Sequence, residues 1–286
     1  MTVVITGGSG LLGQYLIDLL AEQNIDYKVL SRTNCDYQRD TLIAELSGAH
    51  ALVHLAGSRR QHEHLLDYQD ELLMLEHLLH ASRINNVKHV VIASSISVYS
   101  GITPFRETDR PNPKSLYGLN KLVIEHRARL FADKHKMRIT CLRLSHMFGK
   151  NEKNNYMINL FMRKAANKTP LIVQGDSSVK REFLYAKDAA YAILCTLQNK
   201  RTGFHLYNVA GLSSYTNLEV ATIINRAFQN EGLFRENVET KDSFKPSFMN
   251  GEKIFNELGF TPNYTLEGAM NEIATEMREK HVPIWY

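Results

Sequence analysis

With 286 residues, 44% of them apolar and 22% charged, the chain can bury a sizeable core and lacks the charge excess of a disordered one. Its net charge of +4 comes from basic residues scattered along the sequence rather than gathered into a stripe, which argues against nucleic acid as a partner. Cys35, Cys141 and Cys195 lie far apart with no CxxC spacing, so neither a disulfide framework nor a zinc site is expected and a reducing, cytoplasmic setting is. Nowhere do eighteen apolar residues run together, and the start "MTVVITGGSG" has no basic leader, so no membrane association is expected. His62 with His64 and His77 with His80 lack the neighbouring carboxylates and thiols of a ligand set, so no metal is expected.

Taken in order, the first half alternates short β-branched runs with longer amphipathic ones. The runs "TVVIT", "YKVLS", "ALVHLAG", "HVVIASS" and "ITCLRLS" read as strands, and segments such as "LLGQYLIDLLAEQ" and "LLDYQDELLMLEHLLHASRI" read as helices. The alternation predicts βαβ units in an α/β fold with a doubly wound parallel sheet, helices lying on both faces. "GKNEKNN" and "NKTPLIVQGDSSVKREF" read as loops or short strands, and "DAAYAILCTLQ" with "FHLYNVAG" as a helix and strand able to rejoin the sheet. The expected organisation is a dinucleotide-binding domain over residues 1–148, rejoined by about 186–211, with most of 149–286 forming a smaller substrate domain.

Two stretches carry chemistry. In "VVITGGSGLLGQYL" Gly7, Gly10 and Gly13 sit at the end of a strand and the opening of a helix. Glycine there permits a tight turn, close approach of backbone N–H groups to a pyrophosphate, and close packing of helix on strand, all of which indicate a dinucleotide. The second strand ends "VLSRT", and Arg32 occupies the place where an acidic residue would meet a free ribose 2′-hydroxyl, which favours NADP(H) over NAD(H). In "SLYGLNK" the phenol of Tyr117 and the ammonium of Lys121 lie four apart, on one face of a helix start.

In this order the motifs resemble the extended short-chain dehydrogenase/reductase family of nucleotide-sugar epimerases, dehydratases and reductases. Thr6 to Gly13 matches TGxxGxxG, "CDY" resembles the acidic position near the adenine, "VHLAG" the strand under the cofactor, "SSISVYS" the SSxxVYG strand end, and "YGLNK" is similar to YxxxK. "LRLSHMFG", "GDSSVKREFLYAKD" and "LGFTPNYTLEGAMNEI" continue the match, so the likeness covers nearly the whole chain. It implies an NAD(P) Rossmann fold, cofactor contacts from Gly7, Gly10, Leu11, Leu12, Gly13, Arg32, Asp36, Tyr37, Leu55, Ala56 and Gly57, and a nucleoside-diphosphate sugar as substrate. It further implies that Tyr117 is the acid/base, that Lys121 lies by the nicotinamide ribose and favours the phenolate, and that Ser95 polarises the substrate oxygen. His146 stands where relatives carry an asparagine that touches the sugar or its diphosphate, and Arg181 matches the arginine that pairs with the diphosphate. Glu71 stands at the family's helical asparagine, which helps relay protons.

The resemblance implies hydride transfer at sugar C4, by a 4-epimerase or by an NADPH-dependent 4-keto reductase. Ile96 and Ser97 stand where dehydratases carry an acid pair, which speaks against elimination of water. A non-catalytic dinucleotide sensor is the reading from another class, and a homodimer packed through the two helices around residues 65–84 and 117–121 is expected from the same likeness.

Overall fold

The computed structural model describes residues 1–58, 64–152, 154–242 and 245–280. His62 lies outside them. The first half runs β1 (Val3–Thr6), α1 (Leu11–Glu22), β2 (Tyr27–Leu30), α2 (Arg39–Glu45), β3 (Ala51–His54), α3 (Gln69–Ile84), β4 (His89–Ser95), α4 (Leu116–His135) and β5 (Ile139–Leu144). Short 3-10 turns at Leu65–Tyr68 and Ile96–Val98 lead into α3 and out of β4. The second half runs β6 (His146–Phe148), α5 (Met157–Ala166), β7 (Leu171–Gln174), β8 (Arg181–Tyr185), α6 (Ala186–Gln198), β9 (Phe204–Val209), β10 (Ser214–Tyr215), α7 (Asn217–Phe228), β11 (Leu233–Glu236), α8 (Glu252–Leu258) and α9 (Leu266–Lys280).

Six strands form one parallel sheet in the order β2-β1-β3-β4-β5-β9. The inner strands β1, β3, β4 and β5 read as near-continuous apolar runs because the sheet is buried on both faces there, whereas the edge strand β2 is partly exposed. Val3, Ile5, Val53, Val91 and Leu142 point into a core shared with α1 and α6, while Val4, Leu52, Val90, Ile92 and Cys141 point into one shared with α2, α3 and α4. This alternation is the period of two expected of a strand.

The second half contributes a three-stranded sheet, β10-β8-β6, and a two-stranded one, β11-β7. β7 and β8 fall within a stretch whose sequence suggests loops or short strands. Helices α5 and α7 have no counterpart in the sequence reading, yet α7 carries a sequence signal: Thr216 accepts from Glu219 N, and the Glu219 carboxylate accepts from Thr216 N, forming a capping box.

The two halves share one hydrophobic core, and a polar chain runs through it. Tyr15 on α1 donates to Tyr185 Oη on β8 at 3.3 Å, and Tyr185 donates to Glu272 on α9 at 3.0 Å. Lys150 pairs with Glu276 at 2.6 Å on the same helix, and Phe148 stacks on the Tyr185 ring. No helix of the described residues is long and apolar enough to cross a membrane.

Candidate active site

Strand order reverses between β1 and β3, and an open parallel sheet leaves a crevice at the carboxyl ends of its strands at such a point. The glycine turn occupies it. Gly7 has a φ of +76°, and a Cβ there would lie 2.6 Å from Ala56 N, so only glycine allows the turn to rest against Leu55 and Ala56. Gly13 lies so close to the preceding turn that a Cβ would collide with the Gly7 carbonyl oxygen. Thr6 Oγ1 shares a 2.7 Å hydrogen bond with His54 Nδ1, and Leu55 N donates to Thr6 O at 3.1 Å, tying the exits of β1 and β3 together.

Gly10 begins α1 with no side-chain cap, and the first turn holds no acidic residue. The backbone N–H groups of Leu11, Leu12 and Gly13 therefore stand at the positive end of the helix dipole without an intrahelical acceptor. The Leu11 and Leu12 side chains are in the core, so these two residues offer their backbone alone. A cradle closed to any Cβ at Gly7 and Gly13, with free N–H groups beside it, fits a dinucleotide pyrophosphate.

Beyond β2, Arg32 and Asp36 are both exposed on one turn, which Asn34 braces by accepting from Ser31 N and donating to Val29 O. A hydrogen bond from Gln38 N holds the Asp36 carboxyl below its usual range. Tyr37, at φ +58°, places its ring in the core and donates to Leu30 O at 2.8 Å. Burial pushes its phenol up to about 12.

On the other side of the crevice, Tyr117, Lys121 and Glu125 follow one another at i, i+4 and i+8 along one face of α4. Ser115 caps the helix by accepting from Gly118 N, and a Cβ at Gly118 would collide with Ser97 O. The first turn of α4 is thereby seated directly on the turn that follows Ser95. Ser95 ends β4, its Oγ accepting from Ser97 N at 3.1 Å and donating to Ser97 Oγ at 3.2 Å. Tyr117 is half-buried, with Lys121 Nζ 5.5 Å from its ring centre.

Lys121 reaches under the β3 exit, where a Cβ on Gly57 would stand 3.0 Å from its Nζ. Glu71 on α3 meets it there at 3.5 Å, and Asn120 Nδ2 and Ser58 N also donate to that carboxylate. The glycine turn, Leu55 to Gly57, and Lys121 with its neighbour Tyr117 thus gather around one crevice. Further along the same helix face, Glu125 takes two bonds from Arg143 of β5, at 2.9 and 2.6 Å, and one from Ser94 of β4. Arg143 also donates to Tyr99 Oη, which donates to Asn208 of β9. This buried network fixes the height of α4 over the sheet and hence where Tyr117 and Lys121 stand; only its separate residues, not their pairing, are visible in the sequence.

His146 and Arg181 form a second cluster, on β6 and β8, where His146 is in register with Phe183. His146 Nε2 lies 3.2 Å from Ser247 Oγ, and Arg181 donates to Asn217 Oδ1 at 2.7 Å. Burial, then the Arg181 charge, holds the imidazole at about 4. Burial, then the charges of Arg138 and of two neighbouring histidines, brings His89 to about 3, and burial with the Lys121 charge does the same for His54.

The folded protein keeps these three histidines neutral where the unfolded chain, near 6.5, would protonate them. Their contribution to stability is complete above pH 6.5 and is lost as pH falls towards 4. Glu182 runs the other way, because burial raises its carboxyl to about 7 and folding adds a proton between 4.5 and 7. These four groups together bind about two more protons in the unfolded state than in the folded one, so urea melts should show stability falling from pH 6 to 5, their share being on the order of 3 kcal/mol per pH unit.

Known proteins share this architecture from end to end. A solved UDP-N-acetylglucosamine 4-epimerase from Bacillus cereus superposes with a TM-score of 0.88 at 34% identity, covering 100% of both chains. The Pseudomonas aeruginosa protein RMD, solved with NADPH, superposes with a TM-score of 0.85 at 22% identity, over 98% of this chain and 99% of that one. The dTDP-4-dehydro-6-deoxyglucose reductase of Escherichia coli is 22% identical over 97% of this chain and 98% of its own length. The sheet is therefore a Rossmann sheet in kind as well as in order. The model of the NAD-dependent epimerase/dehydratase family matches residues 3–210, from the first residue of β1 to the one after β9, and the chain belongs to that family.

Proposed function

We propose that the protein is an NAD(P)-dependent 4-epimerase of a nucleoside-diphosphate sugar, with residues 1–148 and about 186–211 holding the dinucleotide and the rest of the chain holding most of the sugar nucleotide. The observation that carries this reading is the seating of Tyr117 and Lys121 on the turn after Ser95, across one crevice from the glycine turn. The bound nicotinamide supplies the hydride acceptor and donor. Tyr117 Oη, as phenolate, takes the proton from the C4 hydroxyl while Ser95 Oγ donates to the same oxygen. When the ketone has turned over, Tyr117 returns the proton to it. Arg181 offers a fork of donors for the diphosphate, and neutral His146 lies beside it as a contact for the sugar or its diphosphate.

The full-length likeness to a UDP-N-acetylglucosamine 4-epimerase supports the epimerase and points to a UDP-sugar. An NADPH-dependent 4-keto reductase is the second reading, favoured by exposed Arg32 at the ribose end and by the full-length likeness to a dTDP-sugar reductase. Cytoplasmic residence and a homodimer through α3 and α4 belong to the same proposal. Native mass spectrometry of purified protein separates the two activities. Nicotinamide retained through purification, with interconversion of a UDP-sugar and its C4 epimer, supports the epimerase. An empty protein that oxidises added NADPH only with a 4-keto sugar nucleotide supports the reductase, and turnover of neither substrate class overturns both.

A further inference from the structure

We propose that Gln14 and Asn151 are positioning residues which strap the loop after β6 to the glycine turn and thereby set how long the dinucleotide stays bound. The inference rests on the reading of that turn as the pyrophosphate cradle. It deepens the proposed function, because an epimerase must return the hydride from the same nicotinamide that took it, and a cofactor that leaves between the two transfers aborts the turnover.

The N–H groups offered to a pyrophosphate are those of Leu11, Leu12 and Gly13, and their directions follow from the peptide planes just ahead of them. The Ser9–Gly10 peptide is one of these. Its N–H donates to Gly7 O at 3.0 Å, and its carbonyl oxygen accepts from Gln14 Nε2 at 3.2 Å. Ser9 and Gly10 are exposed, so hydrogen bonds rather than packing hold that plane. A carbonyl oxygen only accepts, which obliges Gln14 to turn its amide nitrogen to Ser9 and its oxygen the other way. That oxygen accepts from Asn151 Nδ2 at 3.0 Å. Asn151 thus fixes Gln14, and Gln14 fixes the peptide.

The far end of the strap is anchored. Lys150 N donates to Tyr15 Oη at 3.1 Å, Lys150 Nζ pairs with Glu276 at 2.6 Å, and a Cβ on Gly149 would stand 3.0 Å from the Leu11 and Tyr15 side chains. Arg163 of α5 donates to Glu152 O at 3.2 Å. Asn151 stands between these anchors at φ +63°, a region that asparagine tolerates better than most side chains. Without the strap, the glycine turn is free to take other orientations before the cofactor arrives. Ordering it then opposes binding, and such a cost shows chiefly in the rate of dissociation. The worth of one hydrogen bond bounds the effect of Asn151 at about tenfold.

The test follows the release of NADH, and of NADPH in parallel, from loaded protein by stopped-flow fluorescence, with excess oxidised dinucleotide as the chase. Asn151→Gly, which suits the backbone at that position, should speed release by about three- to tenfold, and Gln14→Ala by about as much. Gln14→Met supplies the same reading if Gln14→Ala does not fold. The double variant should release no faster than the Gln14 variant alone, because Asn151 acts only through Gln14. Lys150→Met breaks the pair with Glu276 and keeps the strap, so it should lower the melting temperature and leave release unchanged. Additive effects in the double variant, unchanged release in both single ones, or equal acceleration in Lys150→Met overturns the proposal, since each would mean that the segment only packs. The measurement needs no sugar nucleotide, so its failure leaves the epimerase reading to be judged by turnover. Protein that loads neither dinucleotide would remove the cradle, and this proposal with it.

Discussion

Tyr117→Phe is expected to lower turnover of a sugar nucleotide by about 10²- to 10⁴-fold, the usual contribution of a positioned proton-transfer group, while cofactor affinity changes little. The ring remains after the substitution, so its packing on the head of α4 and its contact with Lys121 are kept. Only the oxygen is lost. Steady-state kinetics beside a cofactor titration by fluorescence would separate the two effects. Equal turnover by the variant and the wild type would remove Tyr117 from the chemistry and, with it, the C4 mechanism.

The largest stability effect should follow Arg143→Met. Arg143 is 2% exposed and its carboxylate partner Glu125 is 4% exposed, so losing the guanidinium leaves a charge buried with one hydroxyl donor, Ser94. Breaking one side of such a pair costs about 3–5 kcal/mol. For a chain of this size that is a fall of roughly 5–8 °C in melting temperature. Replacing both, as Arg143→Met with Glu125→Leu, should cost less than the single change, because no unpaired charge is left behind. Thermal and urea melts of the three proteins check the order. The single variant should also turn over more slowly, since α4 carries Tyr117 one turn before Lys121 and two before Glu125.

The elements that were legible in the sequence share a physical property: local pattern decides them. "HVVIASS" coincides with β4 and "ITCLRLS" with β5 and one residue beyond, because a strand buried on both faces reads as a mostly apolar run, its few polar residues such as Ser94 and Arg143 being hydrogen-bonded. The glycine turn is equally plain, since its backbone tolerates little else. The second half is less regular because its short strands pair with distant partners, β7 with β11 and β8 with β6 and β10, and no two-residue alternation over two to five residues reveals such a partner. α5 carries no side-chain cap to mark its start, whereas α7 has one in "TNLE" that could have been read.

At the site, residue types are visible in the chain but their partners are not. Glu71 can be placed opposite the family's asparagine, yet its pairing with a lysine fifty residues away depends on how α3 and α4 pack. Tyr37 shows the converse. It sits next to an acidic residue in a stretch whose sequence suggests cofactor contact, and a left-handed backbone turns its ring into the core.

The bonded chain from Tyr15 through Tyr185 to Glu272 joins the helix behind the glycine turn to α9. Its members lie in one continuous core that also holds α6, so the segment behind the glycine turn is braced by residues drawn from both ends of the chain. Deleting α9 would release that contact and remove Met270 and Ile273 from the shared core, and the glycine turn would feel a cut made more than two hundred residues downstream.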